Sequence, residues 1–272
     1  MDAEQDFLLL DCGMEMNMNQ EKERYASGGC IMQLQNYSVN DGDGIRTDIF
    51  LAGCPLRCRW CSNPEGQTLH NPMTRYMTVE EVVAAIRKQR IFYRYSGGGV
   101  TFSGGEATMQ TGFLRTLTER LYDMGISLAL ETCGCFDFDE VKDILEKMNL
   151  IFCDIKLMSE EKHRQFTGVS NHVILQNIPR IASLDVPLVI RIPVIHGVNT
   201  DEENLKQTFC FIREHAPHAR LELLPYHTFG EEKYRQLGLE LPPASFGRPA
   251  EAELAAWEKT ASEMGIKTIS FR

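Results

Sequence analysis

Three cysteines fall within eight residues of this chain, in the stretch CPLRCRWCSNPEG that begins at Cys54. Cys54, Cys58 and Cys61 stand at C-x3-C-x2-C spacing. A disulfide would leave one thiol over. The start of the chain does not read as a secretory leader, because its short apolar patch Phe7–Leu10 is flanked by acids rather than basic residues. The thiols are therefore expected in a reducing compartment, where metal binding or catalysis outranks a disulfide framework. A structural zinc site wants a fourth nitrogen or sulfur ligand. His70 is near, but the usual paired spacing is missing. An iron–sulfur cubane fits the triplet better, since three thiolates hold three of its four irons and leave the fourth open to a substrate or cofactor. Gly53, Pro55 and Pro64 suit a tight loop around such a cluster. Three unligated surface cysteines are the plain alternative.

Other residues suited to chemistry interrupt apolar runs near their C-terminal ends. They are Ser103 and Glu106 after VTF, Glu131 and Thr132 after ISLAL, Asp154 and Lys156 in IFCDIK, Arg191 in LVIRIP and His227 after LLPY. Asp154 and Lys156 alternate with apolar residues, so they share one face of a strand. They make either a polar site or an ion pair that only stabilises. Gly104 and Gly105 let backbone approach a ligand closely, or simply form a strand-to-helix turn. The preceding Gly97–Gly99 reads as loop flexibility. A lone histidine such as His227 is often structural.

The elements that position these residues recur in order. Strands are expected at 46–53, 100–105, 126–132, 150–156, 186–194 and 220–227. Helical patterns cover about 110–124, 138–148, 159–183, 201–215 and 250–264. A further helix, TVEEVVAAIRKQ, starts at Thr78 as N-cap, with Glu81 completing a capping box. Near-continuous Val/Ile/Leu runs alternating with helices predict a parallel sheet covered by helices. The first choice is an α/β fold, an open or closed β/α barrel of about six parallel strands; the alternative is a doubly wound sheet. Either places its site at the C-terminal ends of the strands.

Composition sets outer limits. The chain has 272 residues, a formal net charge of −10 and nine cysteines. That charge argues against a nucleic-acid binder, which needs a basic stripe. No apolar run is long enough to span a bilayer, so no membrane partner is expected and the cytoplasm is the expected location. Residues 1–29 read as a disordered extension, and 30–272 as one domain. Cys133, Cys135, Cys153 and Cys210 read as small core residues or bystanders.

The triplet after the first strand, followed by Gly-Gly-Glu after the second, resembles the radical S-adenosylmethionine superfamily. More closely, the chain resembles the activating enzymes of glycyl-radical enzymes, of the pyruvate formate-lyase-activating type. The resemblance includes NDGDGIRT (40–47), SGGGVTFSGGEA (96–107), ETCG (131–134), DIK (154–156), TGVSNH (167–172), RIPVIHGVN (191–199) and LLPYHTFGEEKYRQLG (223–238). It implies an open barrel and one [4Fe-4S] cluster on Cys54, Cys58 and Cys61. It further implies S-adenosylmethionine placed by Trp60, Gly104, Gly105, Glu106, Asp154, Lys156, Arg191 and His227. Reductive cleavage of that cofactor would give a 5′-deoxyadenosyl radical, which takes a hydrogen from a glycine α-carbon of a partner enzyme. A flavodoxin- or ferredoxin-type protein would donate the electron.

The resemblance also implies a monovalent cation near Glu131, Thr132, Phe152 and Asp154, although the family pattern has Asp where this chain has Glu131. Asp41, Gly42, Gly44 and Arg46 match a family DGPGIR loop in which Asp43 replaces the proline. Asp41 or Arg46 would meet the partner's glycine loop, or only brace the first strand. No cysteine lies between Cys61 and the helix after Thr78, so the ferredoxin-like insert of many such activases is not expected. The short layout resembles the pyruvate formate-lyase type, whereas SNPEGQ resembles the insert-bearing activases. A radical enzyme acting on a small molecule and a zinc-binding interaction module are the competing readings.

Overall fold

A computed structural model describes residues 26–271. Its strands are β1 (Gly28–Ser38), β2 (Arg46–Leu51), β3 (Arg75–Thr78), β4 (Gly99–Gly104), β5 (Ser127–Thr132), β6 (Leu150–Asp154), β7 (Leu188–Val194), β8 (Arg220–Pro225) and β9 (Lys267–Thr268). They form one sheet in the order β3-β1-β2-β4-β5-β6-β7-β8-β9. Every neighbouring pair from β2 to β9 is parallel. β1 runs antiparallel to both β2 and β3. The sheet has two free edges, β3 and β9, so it is an open barrel.

The six expected parallel strands are β2, β4, β5, β6, β7 and β8. The antiparallel edge was not expected. β1 is buried over its first four residues and mostly exposed beyond Leu34, which weakens the hydrophobic signal a strand gives in sequence. The expected extension is 1–29, and its residues 1–25 lie outside the described residues. Its last two, Gly28 and Gly29, pair with Met77 and Thr78 inside the sheet.

Helices α1 (Val79–Arg87), α2 (Arg90–Ser96), α3 (Thr111–Asp123), α4 (Phe138–Leu145), α5 (Glu160–Thr167), α6 (His172–Ala182), α7 (Glu202–His215), α8 (Glu231–Leu237) and α9 (Glu251–Glu263) connect the strands. The capping box at Thr78 and Glu81 is formed. No described helix is long and apolar enough to cross a membrane.

Period-2 alternation divides each parallel strand between two faces. Ile49, Leu51, Val100, Phe102, Leu128, Leu130, Ile151, Cys153, Ile190 and Leu221 enter one large core together with Phe113, Leu117, Ile144, Ile178 and Phe209 of the helices. The alternate residues point inward, and many are polar: Asp48, Thr101, Ser103, Glu131, Asp154, Arg191 and Glu222. An apolar outer core that fixes the strand registers thus delivers a row of charges to the concave side.

Gly98 and Gly99 correct the expectation of a flexible loop. A Cβ at Gly98 would lie 1.9 Å from Ile45 O, and one at Gly99 2.0 Å from Ser127 O. These glycines are required by close packing at the strand starts. Only Gly97 is open, as the left-handed cap of α2.

Gln110 ties the antiparallel edge to the parallel sheet. Its Oε1 accepts from Cys30 N at 2.8 Å, and its Nε2 donates to Cys30 O at 2.7 Å and Ala52 O at 2.9 Å. All three partners are buried backbone groups, and an unmet buried group costs about 1–3 kcal/mol. Cys30 O also accepts from Ala52 N at 3.0 Å, so Gln110→Leu strips a partner from two groups at most and is expected to destabilise the chain by about 2 kcal/mol or more in urea unfolding. A loss under about 0.5 kcal/mol would refute this accounting.

Candidate functional site

The cysteine loop leaves β2 at Leu51 and is held from three directions. On one side lies the turn after β4. Gly105 N donates to Leu51 O at 2.9 Å, and Glu106 N donates to Gly53 O at 2.7 Å. Gly104 has φ +119°, and a Cβ on Gly105 would fall 2.3 Å from Gly66 O and 2.4 Å from Gly53 O. The two glycines are expected to admit a ligand. They do line the cavity described below, but their lack of side chains first serves the approach of the cysteine loop itself. On the second side, Arg57 N donates to Thr167 O at 2.7 Å and Arg59 N to Phe166 O at 3.0 Å, at the end of α5. On the third, Lys233 of α8 donates to Asn63 Oδ1 at 2.8 Å and Glu65 Oε1 at 2.5 Å. The SNPE segment is thus an anchor.

These contacts frame a cavity of about 300 Å³. Cys54, Cys58, Cys61 and Trp60 line it from the loop. Ser103, Gly104, Gly105, Glu131, Thr132, Cys133, Asp154, Lys156, Arg191, Pro193 and Leu224 line it from the strand ends. Most of the expected site residues therefore converge. A wider cleft of about 700 Å³ lies between α4 and α6, around Lys142 and Arg180, and none of its lining residues is a cysteine.

Several expected residues are placed differently. Glu106 is fully buried behind the lining. Its carboxylate accepts from Thr132 Oγ1 at 2.9 Å, Cys133 N at 2.7 Å and Thr108 Oγ1 at 2.8 Å. It locks the β4 turn to the end of β5. His227 is outside the lining and stacks on Phe229, ring centroids 4.5 Å apart. Burial and the nearby Arg248 hold its imidazole below its ordinary range. His70 contacts Cys30 Sγ at 3.6 Å and does not line the cavity.

Arg46 braces the strand starts. It donates to Thr101 Oγ1 and Val100 O, both at 2.6 Å, and to Ser127 O at 3.2 Å. A Cβ on Gly44 would meet Gly98 N at 2.3 Å, and one on Gly42 would meet Arg46 Cδ at 3.1 Å, so both pack against the same strand starts. Asp41 accepts from Ser38 Oγ at 2.5 Å and lies 3.8 Å from Arg191. The Asp41–Arg46 segment therefore faces the sheet.

The charges within the barrel fall into two groups. Lys156 Nζ lies 2.6 Å from Asp154 Oδ2. Burial opposes the ammonium charge, but Asp154 more than offsets it, so Lys156 is held more firmly protonated than usual. Arg191 donates to Glu222 Oε2 at 2.8 Å, to Asn40 O at 3.0 Å and to Glu131. Its guanidinium lies 3.7 Å from the Phe152 ring centroid. Glu131 also accepts from Ser103 Oγ at 2.5 Å.

The expected cation ligands therefore fit poorly. Glu131 faces Arg191, Asp154 faces Lys156, and the Thr132 hydroxyl serves Glu106. Each of the two expected carboxylates already meets a protein cation.

Three acids, Asp41, Glu131 and Glu222, lie around Arg191, and Asp48 lies beside Asp41, so the group is short of positive charge. Asp48 answers by holding a proton. Burial, with the negative charge of Asp41 beside it, pushes Asp48 up to about 9. Both its oxygens are buried without a hydrogen-bond partner, the setting in which a carboxyl group stays neutral. Asp41, with Asp48 and Ser38 beside it, is held below its usual range although burial opposes this.

The thiols suit an iron–sulfur centre. Burial pushes Cys58 up to about 12 and Cys61 up to about 11. Neutral thiols crowded in one cavity wall become thiolates when a metal replaces their protons. Cys54 is held below the ordinary thiol value, chiefly by its hydrogen bond with Cys133. Cys133 corrects the expectation of a bystander, because it lines the cavity beside the triplet. Its place in ETCG, directly after Thr132, was the available signal.

Comparisons with known proteins agree with this geometry. Residues 49–222 match the radical SAM superfamily model. The chain is 31% identical to the 4-hydroxyphenylacetate decarboxylase activating enzyme of Clostridioides difficile strain 630, covering 88% of this chain and 94% of that one. It is 33% identical to the trans-4-hydroxy-L-proline dehydratase activating enzyme of Clostridioides difficile, over 82% of this chain and 93% of that one. It is 34% identical to the isethionate sulfite-lyase activating enzyme of Oleidesulfovibrio alaskensis, over 79% and 88%. A domain of pyruvate-formate lyase-activating enzyme from Bacteroides vulgatus ATCC 8482 superposes with TM-score 0.54 and 32% identity, covering 64% of this chain and 98% of that one. Since 88% of 272 residues is about 240, about 60 of the 300 positions aligned with the first relative lie opposite gaps in this chain.

Two outcomes test the site. Gly105→Ala should push the cysteine loop off the β4 turn, cutting bound iron at least severalfold after reconstitution while far-ultraviolet circular dichroism stays unchanged; full iron loading would contradict the seam. Asp48→Asn keeps the side-chain shape without a proton to lose. Asp48 in the fold binds a proton that the unfolded chain releases near pH 4, so wild-type stability falls as pH rises from about 4 to about 9. The melting temperature of Asp48→Asn relative to wild type should therefore climb between pH 5 and pH 8, and parallel curves would exclude a proton on Asp48.

Proposed function

The chain belongs to the radical S-adenosylmethionine superfamily and, within it, to the activating enzymes of glycyl-radical enzymes, and we propose that it installs the glycyl radical in a lyase, dehydratase or decarboxylase partner. The observation that carries this reading is the convergence of the Cys54, Cys58 and Cys61 thiols with Asp154, Lys156 and Arg191 on one cavity. The named targets of its relatives, a decarboxylase, a dehydratase and a sulfite-lyase, set the class of partner. Held by Cys54, Cys58 and Cys61, a [4Fe-4S] cluster would supply the electron for reductive cleavage of S-adenosylmethionine, the chemistry by which these activases would take a hydrogen from a glycine α-carbon.

The chain's own residues hold and orient. Cys54, Cys58 and Cys61 hold the cluster, and the two backbone bonds from the β4 turn fix the loop that carries them. Lys156 and Asp154 offer a cation and an anion to the carboxylate and ammonium of the methionyl group. Glu131 and Glu222 keep the Arg191 guanidinium in place beneath them. Glu106 and His227, lying outside the lining, reach S-adenosylmethionine only by rearrangement. Trp60, packed among Leu157, Ile195 and Val198, keeps water from one side of the loop.

A protein substrate is favoured by the rim. Phe229 is 85% exposed, and its neighbour Gly230 packs against Cys61 O and Ser62 O. Met109, 45% exposed, packs beside Gly53. Two exposed apolar side chains flank the cluster loop, where a docked protein would cover them. The proposed setting is the cytoplasm, with a flavodoxin- or ferredoxin-type electron donor.

Anaerobic reconstitution should give about four irons per chain with matching sulfide. Addition of S-adenosylmethionine should change the electron paramagnetic resonance signal of the reduced cluster. A glycyl doublet should then form on a partner from a panel of lyases, dehydratases and decarboxylases. Cys58→Ser should abolish the iron-dependent signal. An unchanged cluster signal on adding S-adenosylmethionine would overturn the reading.

A further inference from the structure

The cysteine loop has two faces. Leu56, Cys58 and Trp60 line the cavity, whereas Arg57 and Arg59 between them do not and are exposed. Both arginines are pinned through their backbone N–H groups to the end of α5, by the same bonds that set the cysteines. Arg57 packs on Gly168, where a Cβ would lie 3.5 Å from Arg57 Cβ. Its Nη1 donates to Cys54 O at 2.6 Å and Leu56 O at 2.9 Å. Those acceptors are neutral, so they leave the guanidinium charge uncompensated. Neither arginine has a carboxylate partner among the described residues. Arginines on neighbouring segments do have one: Arg164 meets Glu160 at 2.9 Å and Arg248 meets Glu251 at 3.2 Å. The sequence has no acid between Asp48 and Glu65. Asp48 is buried, and Glu65 is buried and paired with Lys233. In a chain of net charge −10, the outer face of this loop is positive. Half-buried Phe166 and Phe246 lie beside it, their ring centroids 6.3 and 6.5 Å from that of Trp60.

We propose that this outer face, Arg57 and Arg59 with Phe166 and Phe246 beside them, is the docking surface of the electron donor, a small acidic redox protein that presents carboxylates around the exposed edge of its cofactor. The proposal rests on the activase reading above, which requires an electron to reach the cysteine triplet. The cavity side of the triplet is the place for S-adenosylmethionine, and the rim at Phe229 and Met109 is the place for the substrate protein. The arginine face is the side of the loop left open, and only the thickness of the loop separates it from the thiols. Each transfer oxidises the donor by one electron and reduces the bound cluster by one, with no bond formed or broken. Electron-transfer encounters are small and transient, often under about 1,200 Å². Opposite charges across such a contact chiefly set the rate of approach. The donor meets the loop on its α5 side, so it need not leave before the substrate protein arrives.

The test compares the wild type with Arg59→Glu and with a charge-matched control, Arg94→Glu. Arg94 is exposed on α2, which leads into the start of β4 at the far end of the sheet from the loop. The probes are a flavodoxin and a two-cluster ferredoxin. Binding of each oxidised probe to the reconstituted chain is measured by calorimetry at about 50 mM and about 500 mM salt. Arg59→Glu should weaken binding at least about tenfold at the lower salt, and screening should shrink the difference at the higher. Arg59→Gln, which removes the charge without reversing it, should lose less in the same direction. The rate of cluster reduction by either reduced probe should fall in parallel. Photoreduction with a deazaflavin, which needs no docked protein, should be unchanged. Equal binding by Arg59→Glu and wild type, or equal losses in Arg59→Glu and Arg94→Glu, would overturn the proposal. So would a wild-type cluster that photoreduces while neither probe binds or reduces it. A cluster that photoreduces but ignores S-adenosylmethionine would overturn the activase reading and leave the docking surface standing. A chain that takes up no cluster would overturn both.

Discussion

Two backbone hydrogen bonds join the start of the cysteine loop to the turn after β4, and the site depends on them. Gly105 N to Leu51 O and Glu106 N to Gly53 O continue the parallel β2–β4 pairing one step past the strand ends. That step exists only because Gly104 and Gly105 have no side chains. It brings the thiol-bearing loop over the concave side of the sheet. It also turns Glu106 inward, where its carboxylate clamps Thr132 and Cys133 at the end of β5. Three consecutive strand ends are thereby tied together before any ligand enters.

The concave side of the sheet carries buried charge beside a small apolar cluster of Ala129, Leu150, Phe152 and Val189. Arg191 is enclosed by Glu131 and Glu222 and stacked on Phe152. Such buried ion groups add little to stability by themselves, because desolvation consumes most of the attraction. Their effect here is geometric. Glu222 also accepts from Phe271 N at 2.8 Å, and Arg191 reaches Asn40 O. One guanidinium thus links the segment before β2, the central strands and the segment after β9, which steadies a sheet that does not close.

The parallel strands were legible in the sequence because their apolar runs are near-continuous, alternate with helical patterns and end in polar residues. The cysteine triplet was legible because its spacing is local. Charge matching between strands was not. Alternation already put Asp154 and Lys156 on one face, but that Glu131 faces Arg191 depends on strand order and register, which periodicity alone does not set. The burial of Glu106 was hidden for the same reason, since its partners come from β5. β1 escaped notice because half of it is solvent-facing. The glycines were visible, but their neighbours were not, so Gly98 and Gly99 read as flexibility when they are points of close contact.

The grip of Lys233 on Asn63 and Glu65 spans 170 and 168 residues of sequence. During synthesis the cysteine loop therefore waits for most of the remaining chain before its third anchor exists. At about 5–20 residues per second, that interval is on the order of 10–30 s. Throughout it the loop has β4 and then α5 to rest on, but nothing on the α8 side. Cluster delivery is thus tied to a late event in biogenesis: a nascent chain can display the three thiols long before it can enclose what they hold.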